Sequence, residues 1–428
     1  MATEGVTKGL LALALAECIA AFGAGMIVPL LAPLLAGLDD PHFPETLLGL
    51  PVTTELQVGI LFAVFGLVRS TFEIPLGRLS DYVGVRKPFL EVGIFTSAVA
   101  LYLYSTAGTV AALMTIRAFH GFALAISTPA LFALIEGITE QRSRGGSMGF
   151  FSTIQTLGWG VGPIVGGVIA DVHGVEFTFT VGAVIVALAV VAIHVAVPEV
   201  RSRDDHGRRD ESDDGSLETA PDGGRSFLWV FSTREQAASL LGLAVAMITL
   251  MAGFSAMIAM ENPILDRIGG TLAGFGVIFA IATITRLFVQ FPIGAATDRL
   301  GRKRFIIAGL VMNAPLVALM GYSHTLFEFT ALRALQGIAL AAVIAPTYAL
   351  AADVVDERRS GEQMAVISTA FSVGLVVGPI LAGAVAFLGF AIPFLVSGVL
   401  TLLGGILVWL LVDEPNPSGP RDGGLLAD

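Results

Sequence analysis

The 428-residue chain has a single cysteine, Cys18, so it can form neither an internal disulfide nor a thiolate metal cluster. Lysine is almost as scarce, with Lys8, Lys87 and Lys303 set against 21 arginines. Charged residues of both signs make up 14% of the chain, where a soluble protein carries roughly a quarter. Also missing are a phosphate-binding Gly-Lys loop, a nucleophile elbow and a metal-ligand cluster, which argues against an enzyme and against ATP-driven work. What abounds is apolar: 55% of residues are hydrophobic and the mean hydropathy is +0.82. Many runs reach roughly 20 residues, enough to cross a hydrocarbon layer about 30 Å thick.

The expected fold class is therefore an all-α polytopic membrane protein. The apolar runs read as twelve transmembrane helices over 8–36, 56–80, 88–106, 109–138, 146–170, 176–197, 235–260, 271–297, 304–322, 326–353, 363–387 and 390–412. The first is too long, and lacks the cleavage site, to be a removable signal peptide. Between the sixth and seventh, the acidic and arginine-rich stretch from Arg201 to Gly215 has too little apolar surface to fold alone. These features divide the chain into a six-helix bundle (1–197), a disordered linker (198–233), a second six-helix bundle (234–412) and a tail (413–428). The expected surroundings are a lipid bilayer, with no cofactor, no nucleic acid and a monomeric state.

Basic residues fix the expected orientation. With the N-terminus inside, nineteen loop Lys and Arg residues fall on the inner side and Arg267 alone falls outside. The positive-inside rule then places both termini in the cytoplasm of a plasma-membrane protein.

The chain is also a duplication. Gly77-Arg-Leu-Ser-Asp81-Tyr-Val-Gly84-Val-Arg86-Lys87 returns as Gly294-Ala-Ala-Thr-Asp298-Arg-Leu-Gly301-Arg-Lys303-Arg304, with corresponding positions 217 apart. Arginines within the helices repeat as well, Arg69 with Arg286 and Arg117 with Arg333. A buried arginine costs several kcal/mol unless it is paired or faces water, so four at repeat-related positions are no accident. So do Pro75/Pro292, Gly121/Gly337, Pro129/Pro346, Glu136/Asp353 and Gly162-Pro163/Gly378-Pro379. Two pseudo-symmetric six-helix halves with a substrate path between them are the architecture such repeats build.

The two-copy Gly-x-x-x-Asp-x-x-Gly-x-basic-basic loop resembles the loop after the second and eighth helices of the major facilitator superfamily. Arg117-Ala-Phe-His-Gly121, and its copy at Arg333, resemble a fourth-helix signature whose arginine lines the cavity and assists proton movement. Backbone carbonyls at a packing site could equally hold such an arginine. Gly158-Trp-Gly160-Val-Gly162-Pro163-Ile-Val-Gly166-Gly167 resembles the fifth-helix motif of drug and metabolite antiporters, although small residues at this spacing also serve plain helix packing. The resemblance implies a secondary transporter, most like the drug:proton antiporter branch, exporting a small amphipathic molecule by alternating access with H+ or Na+ as the coupling ion. Proton-coupled or facilitated uptake of a sugar or organic acid, and a non-transporting sensor or scaffold, are the alternatives.

Several residues are candidates for that work. Glu17 lies about nine residues into the first helix, about 14 Å deep at 1.5 Å per residue, and Arg117 reaches a similar depth from the opposite face. The two are expected to face each other, as a proton site or as a permanent pair, with His120 one turn from Arg117. Glu73 sits one turn after Arg69, a spacing that suits a local ion pair. Its repeat partner is Gln290, so Arg286 has lost that acid. By resemblance, Asp81 holds the start of helix eleven across the halves, and Arg86 or Lys87 meets Glu136. The Gly77, Gly84, Gly294, Asp298 and Gly301 positions complete this expected latch.

Overall fold

A computed structural model describes residues 2–38, 40, 43–47, 49–138, 144–197, 234–354 and 360–413. Among them the helices are α1 (Ala2–Met26), α2 (Leu31–Ala36), α3 (Thr54–Val83), α4 (Lys87–Tyr104), α5 (Val110–Ile138), α6 (Arg144–His173) and α7 (Val175–Ala196). The second half adds α8 (Arg234–Ala259), α9 (Glu261–Ile268), α10 (Leu272–Leu300), α11 (Arg302–Met320), α12 (Leu326–Val354), α13 (Ser360–Ala386) and α14 (Ile392–Leu411). Among the described residues, eleven spans are long and apolar enough to cross a membrane. The shorter α4, packed on α5 and α7, completes two sets of six. The acidic stretch 198–233 and the tail beyond 413 lie outside the described residues.

The first expected helix is not continuous. Val28 and Leu30 donate to carbonyls only three residues back, those of Gly25 and Ile27. Pro29 has no N–H to continue the α ladder, so the chain turns and restarts as α2. The second half breaks in the same place: α8 stops at Ala259, and α9 begins at Glu261 with Pro263 in its first turn. There the missing N–H costs nothing, because first-turn amides have no intrahelical partner. A short antiparallel hairpin, β1 (Thr46–Leu47) paired with β2 (Leu50–Pro51), was not foreseen and lies in the connection to α3.

The two halves pack alike. α1 rests on α6 and α7 as α8 rests on α13 and α14; α3 meets α5 as α10 meets α12; α4 meets α5 and α7 as α11 meets α12 and α14. The halves touch chiefly through α6 with α10 and α3 with α13. The structure also corrects one repeat register. Arg86 donates to the Ala133 carbonyl and Arg302 to the Ala349 carbonyl, so Arg86 corresponds to Arg302 and not to Lys303. The second copy is one residue shorter after Gly301.

Candidate functional site

The end of the bundle where α1 begins and α14 ends is the termini face, and the other the far face. At the far face the halves are sealed by a two-fold seam of close backbone approaches. A Cβ on Gly276 would run into the Pro163 carbonyl, and one on Gly59 would lie 2.7 Å from the Pro379 carbonyl. Likewise Gly167 lies against the Leu272 carbonyl and Gly383 against that of Glu55. Asp171, at the end of α6, accepts from the backbone N–H groups of Leu272 and Ala273 at 2.9 and 3.0 Å. These are first-turn amides of α10, whose partial positive charge favours a carboxylate. Asn262 on α9 donates across the halves to the Ala32 carbonyl at 3.1 Å. One apolar cluster runs through this seam, from Ile27 and Leu31 to Met257, Ile264 and Phe275.

Toward the termini face the seam is lost. α3 is packed from Leu56 to Gly66 and beyond it exposes Leu67, Phe72, Ile74 and Leu79, and α10 changes in the same way at Phe288 and Phe291. Leu67 is 68% and Phe288 75% exposed. The inter-half space is therefore closed at the far face and open at the termini face.

At the apex of that opening stands a polar cluster of the first half. The Gln155 amide of α6 donates to Glu17 Oε1 at 2.7 Å. Arg69 Nε lies 3.4 Å from Glu73 Oε2, and its Nη2 lies 3.4 Å from Thr128 Oγ1. The Arg69 charge also acts on Glu17 through space. Gln155 carries no charge and follows no motif, so the sequence offered no signal for it.

Glu17 does not face Arg117. That guanidinium points into the first bundle, 4.6 Å from the Phe62 ring centroid and 4.4 Å from that of Phe65, with Nη1 3.4 Å from the Tyr104 hydroxyl. Equal depth does not bring two helices' side chains together; α1 packs on α6 and α7, and Arg117 turns toward α3 and α4. His120 is buried beside it, Nε2 2.8 Å from Ser97 Oγ and its ring edge-on to Phe65 and Tyr104. Arg333 is a further correction to the expected cavity set: it is wholly buried, donates to the carbonyls of Ile278, Phe254 and Phe279, and contacts Gln336. It holds three helices together and lines no open space.

Arg286 differs from all of these. It is half-buried on α10 at the same depth as Arg69, and among the described residues its electrostatic neighbour is Tyr348, whose side chain is hydrogen-bonded to Ser368.

Several of the loop residues make local contacts in this structure. Lys87 Nζ donates to the carbonyls of His194 and Val197 at 2.7 Å each, capping the end of α7, where a cation is favoured. Gly84 ends α3 with φ +73°, and Gly301 ends α10 with φ +96°, conformations an L side chain resists. Gly77 gives α3 room against Pro129, whereas Gly294 has open space around it. Arg302 pairs with Asp353. The side chains of Asp81, Asp298 and Glu136 lie outside the described residues.

The glycine-rich helix has two jobs. Gly158, Gly162 and Gly166 seat the backbone of α1 at Cys18, Phe22 and Met26, while Gly167 and Pro163 supply the far-face seam with α10. Gly374 and Gly378 seat α8 in the same way.

Two homologous six-helix halves around a space sealed at one face and open at the other define a multi-pass membrane transporter. The sequence profile of the Major Facilitator Superfamily matches residues 13–247 and 242–426, and the chain belongs to that family. It is similar to an MFS-type transporter of Methanocaldococcus jannaschii, 26% identical over 92% of this chain and 95% of that one. It is also similar to the multidrug resistance protein MdtG of Dickeya zeae, 24% identical over 83% of this chain and 84% of the relative. Among solved structures it resembles a bacterial homolog of the human lysosomal transporter Spinster in an inward-facing, occupied conformation. That match has a TM-score of 0.73 at 14% identity and covers 94% and 96% of the two chains.

Proposed function

We propose that this transporter exports a small, amphipathic molecule across the plasma membrane while protons move the other way. The nineteen-to-one distribution of loop cations supports cytoplasmic termini, a cytoplasmic 198–233 linker and hence an inward-open state for this structure. The observation that carries the proposal is Glu17, a titratable carboxylate at the apex of the opening, bonded to the neutral Gln155 amide and sensing Arg69. Protonation removes its attraction to Arg69 and weakens the Gln155 contact, so proton occupancy is coupled to how α1, α3 and α6 sit together. Export as the direction is supported by the Gly158–Gly167 motif and by the likeness to a multidrug resistance protein.

Alternation then pairs two helix-end locks. Asp171 on the first amides of α10 closes the far face. Asp81 on the start of α13 closes the cytoplasmic face in the opposite state, by the same attraction between a carboxylate and free helix amides. The test is transport of a compound panel by purified protein in proteoliposomes under imposed pH and sodium gradients. Accumulation driven by a pH gradient is expected. If no compound responds to either gradient, coupled transport is wrong; response to sodium alone replaces the coupling ion.

A further inference from the structure

The two halves differ in charge at positions related by their shared contacts. Gly158 touches α1 at Cys18 and Ala21, and Gly374 touches α8 at Ile248 and Met251. Glu17 therefore corresponds to Met247, and Gln155 to Phe371. The paired seam contacts of Gly59 and Gly276 put Glu73 opposite Gln290. The paired carbonyl contacts of Arg86 and Arg302 put Thr128 opposite Ile344. The guanidinium itself is kept, as Arg69 and Arg286, while both of its acids, its amide and its hydroxyl have been replaced. Arg69 has Glu73, Thr128 and the field of Glu17. Among the described residues Arg286 has no acid partner; its neighbour is Tyr348, and its Nε is buried without a hydrogen-bond partner.

A guanidinium at mid-membrane without a partner is costly, and its retention needs a reason. Arginine's planar fork suits carboxylate, sulfonate and phosphate groups, which it holds bidentately. Arg286 stands where α10 passes from its packed half to its open half, two residues before the exposed Phe288. Its missing partner can therefore arrive through the opening. We propose that Arg286, with the Tyr348 hydroxyl beside it, is the subsite for an anionic group on the transported molecule, which makes the substrate an amphipathic organic anion. The proposal rests on the transport reading above and deepens it. Proton handling then belongs to the first half, through Glu17, and anion recognition to the second, through Arg286.

The experiment compares purified wild type, Arg286→Gln and Arg286→Lys by thermal unfolding in neutral detergent. The probes are 2-naphthoate, the matched cation 2-naphthylmethylammonium, and phosphatidylglycerol. Naphthoate is expected to stabilise wild type, with half-saturation about 10- to 100-fold weaker in Arg286→Gln, the scale of one charge-assisted hydrogen-bonding pair, and partly restored in Arg286→Lys. Without probe, Arg286→Gln is expected to be as stable as wild type, because no internal ion pair is broken. A structural arginine would instead leave a stranded partner and lower the unfolding temperature.

Stabilisation by the ammonium alone, by neither probe, or by naphthoate equally in all three proteins overturns the proposal. Stabilisation by phosphatidylglycerol but not naphthoate assigns the site to a lipid headgroup and overturns the organic-anion reading. Binding is read here without any gradient. Failure of the anion subsite therefore leaves coupled transport standing, and failure of coupling leaves naphthoate binding unchanged.

Discussion

Asp171 caps the helix that starts at Leu272: the carboxylate at the end of α6 accepts from the first free amides of α10, joining the two halves at the far face. The attraction is the one proposed for Asp81 on the opposite side, which would give both ends of the transporter the same physical device. Replacing Asp171 by Ala strands two amides and removes a charge from a helix N-terminus, together about 0.5–2 kcal/mol. The equilibrium between closed and open far face should then shift toward open by roughly 2- to 30-fold. Paired spin labels on the ends of α6 and α10 read this directly. Distances identical to wild type would show that Asp171 is not a lock.

The seam itself predicts a steric contrast. A methyl on Gly276 cannot coexist with the Pro163 carbonyl, whereas one on Gly294 meets nothing within 4 Å, on the same helix. Gly276→Ala is expected to keep the fold, hold the far face open and abolish net transport, while Gly294→Ala transports normally. Labelling of a cysteine introduced beside Ala32, in a Cys18→Ala background, should rise only in the Gly276 variant. Equal labelling in both variants would mean that the seam does not govern closure.

Glu261 gives a pH dependence outside the spanning segments. It is fully buried where α9 begins, and among the described residues no cation is paired with it. α2, packed against α9, carries no charge; Asp266 and Arg267 share its helix, and Arg267 is occupied with Ser323 and the Phe390 ring. Burial pushes the Glu261 carboxyl well above the usual carboxylate range, and the nearby Ala32 amide offsets part of this. The sign follows: the closed far face holds the acid neutral, while opening hydrates it and restores an ordinary value near 4.3. Closure is therefore unpenalised below about pH 4.3 and weakens, by up to about tenfold per pH unit, until the raised value is passed. Spin-label distances between pH 5 and 8 should show opening with rising pH in wild type and none in Glu261→Gln. A flat wild-type profile would remove Glu261 from the gate.

The sequence carries the halves, their helices and the repeated arginines plainly, because a hydrocarbon environment and a duplication leave long apolar runs and fixed offsets. It carries contacts poorly. Glu17 and Arg117 share a depth, but depth says nothing of which face of a helix a side chain leaves from, and Arg117 is spent among Phe62, Phe65 and Tyr104. Lys87 sits in a recognisable motif, yet it closes α7, a contact that depends on where the sixth helix happens to end. Asp171 and Gln155 belong to no repeat, since one of two related helices uses each. The breaks before α2 and α9 were signalled by Pro29 and Pro263 but hidden by the apolar runs around them. Gln290 in place of Glu73 was visible in the sequence; its meaning needed the whole set of replacements around Arg286.

The coupling site is the strictest of these tests. Glu17 has a neutral hydrogen-bond donor in Gln155, whereas Glu73 is in direct contact with Arg69. If Glu17 carries the exchanged proton, Glu17→Gln fixes the protonated form, and the Gln155 contact survives as an amide–amide hydrogen bond. Downhill exchange of substrate should then continue within about twofold of wild type, and accumulation against a gradient driven by pH should vanish. Glu73→Gln leaves Arg69 with Thr128 and the field of Glu17, so both transport modes should fall together while the response to pH remains. Arg69→Gln removes the cation that senses the protonation state of Glu17, so exchange should persist with its dependence on pH flattened. Measuring both modes for the three variants in one reconstituted preparation separates coupling from damage. Accumulation retained in Glu17→Gln would end its assignment as the proton carrier, and loss of both modes in that variant would make Glu17 a packing residue of α1 and α6.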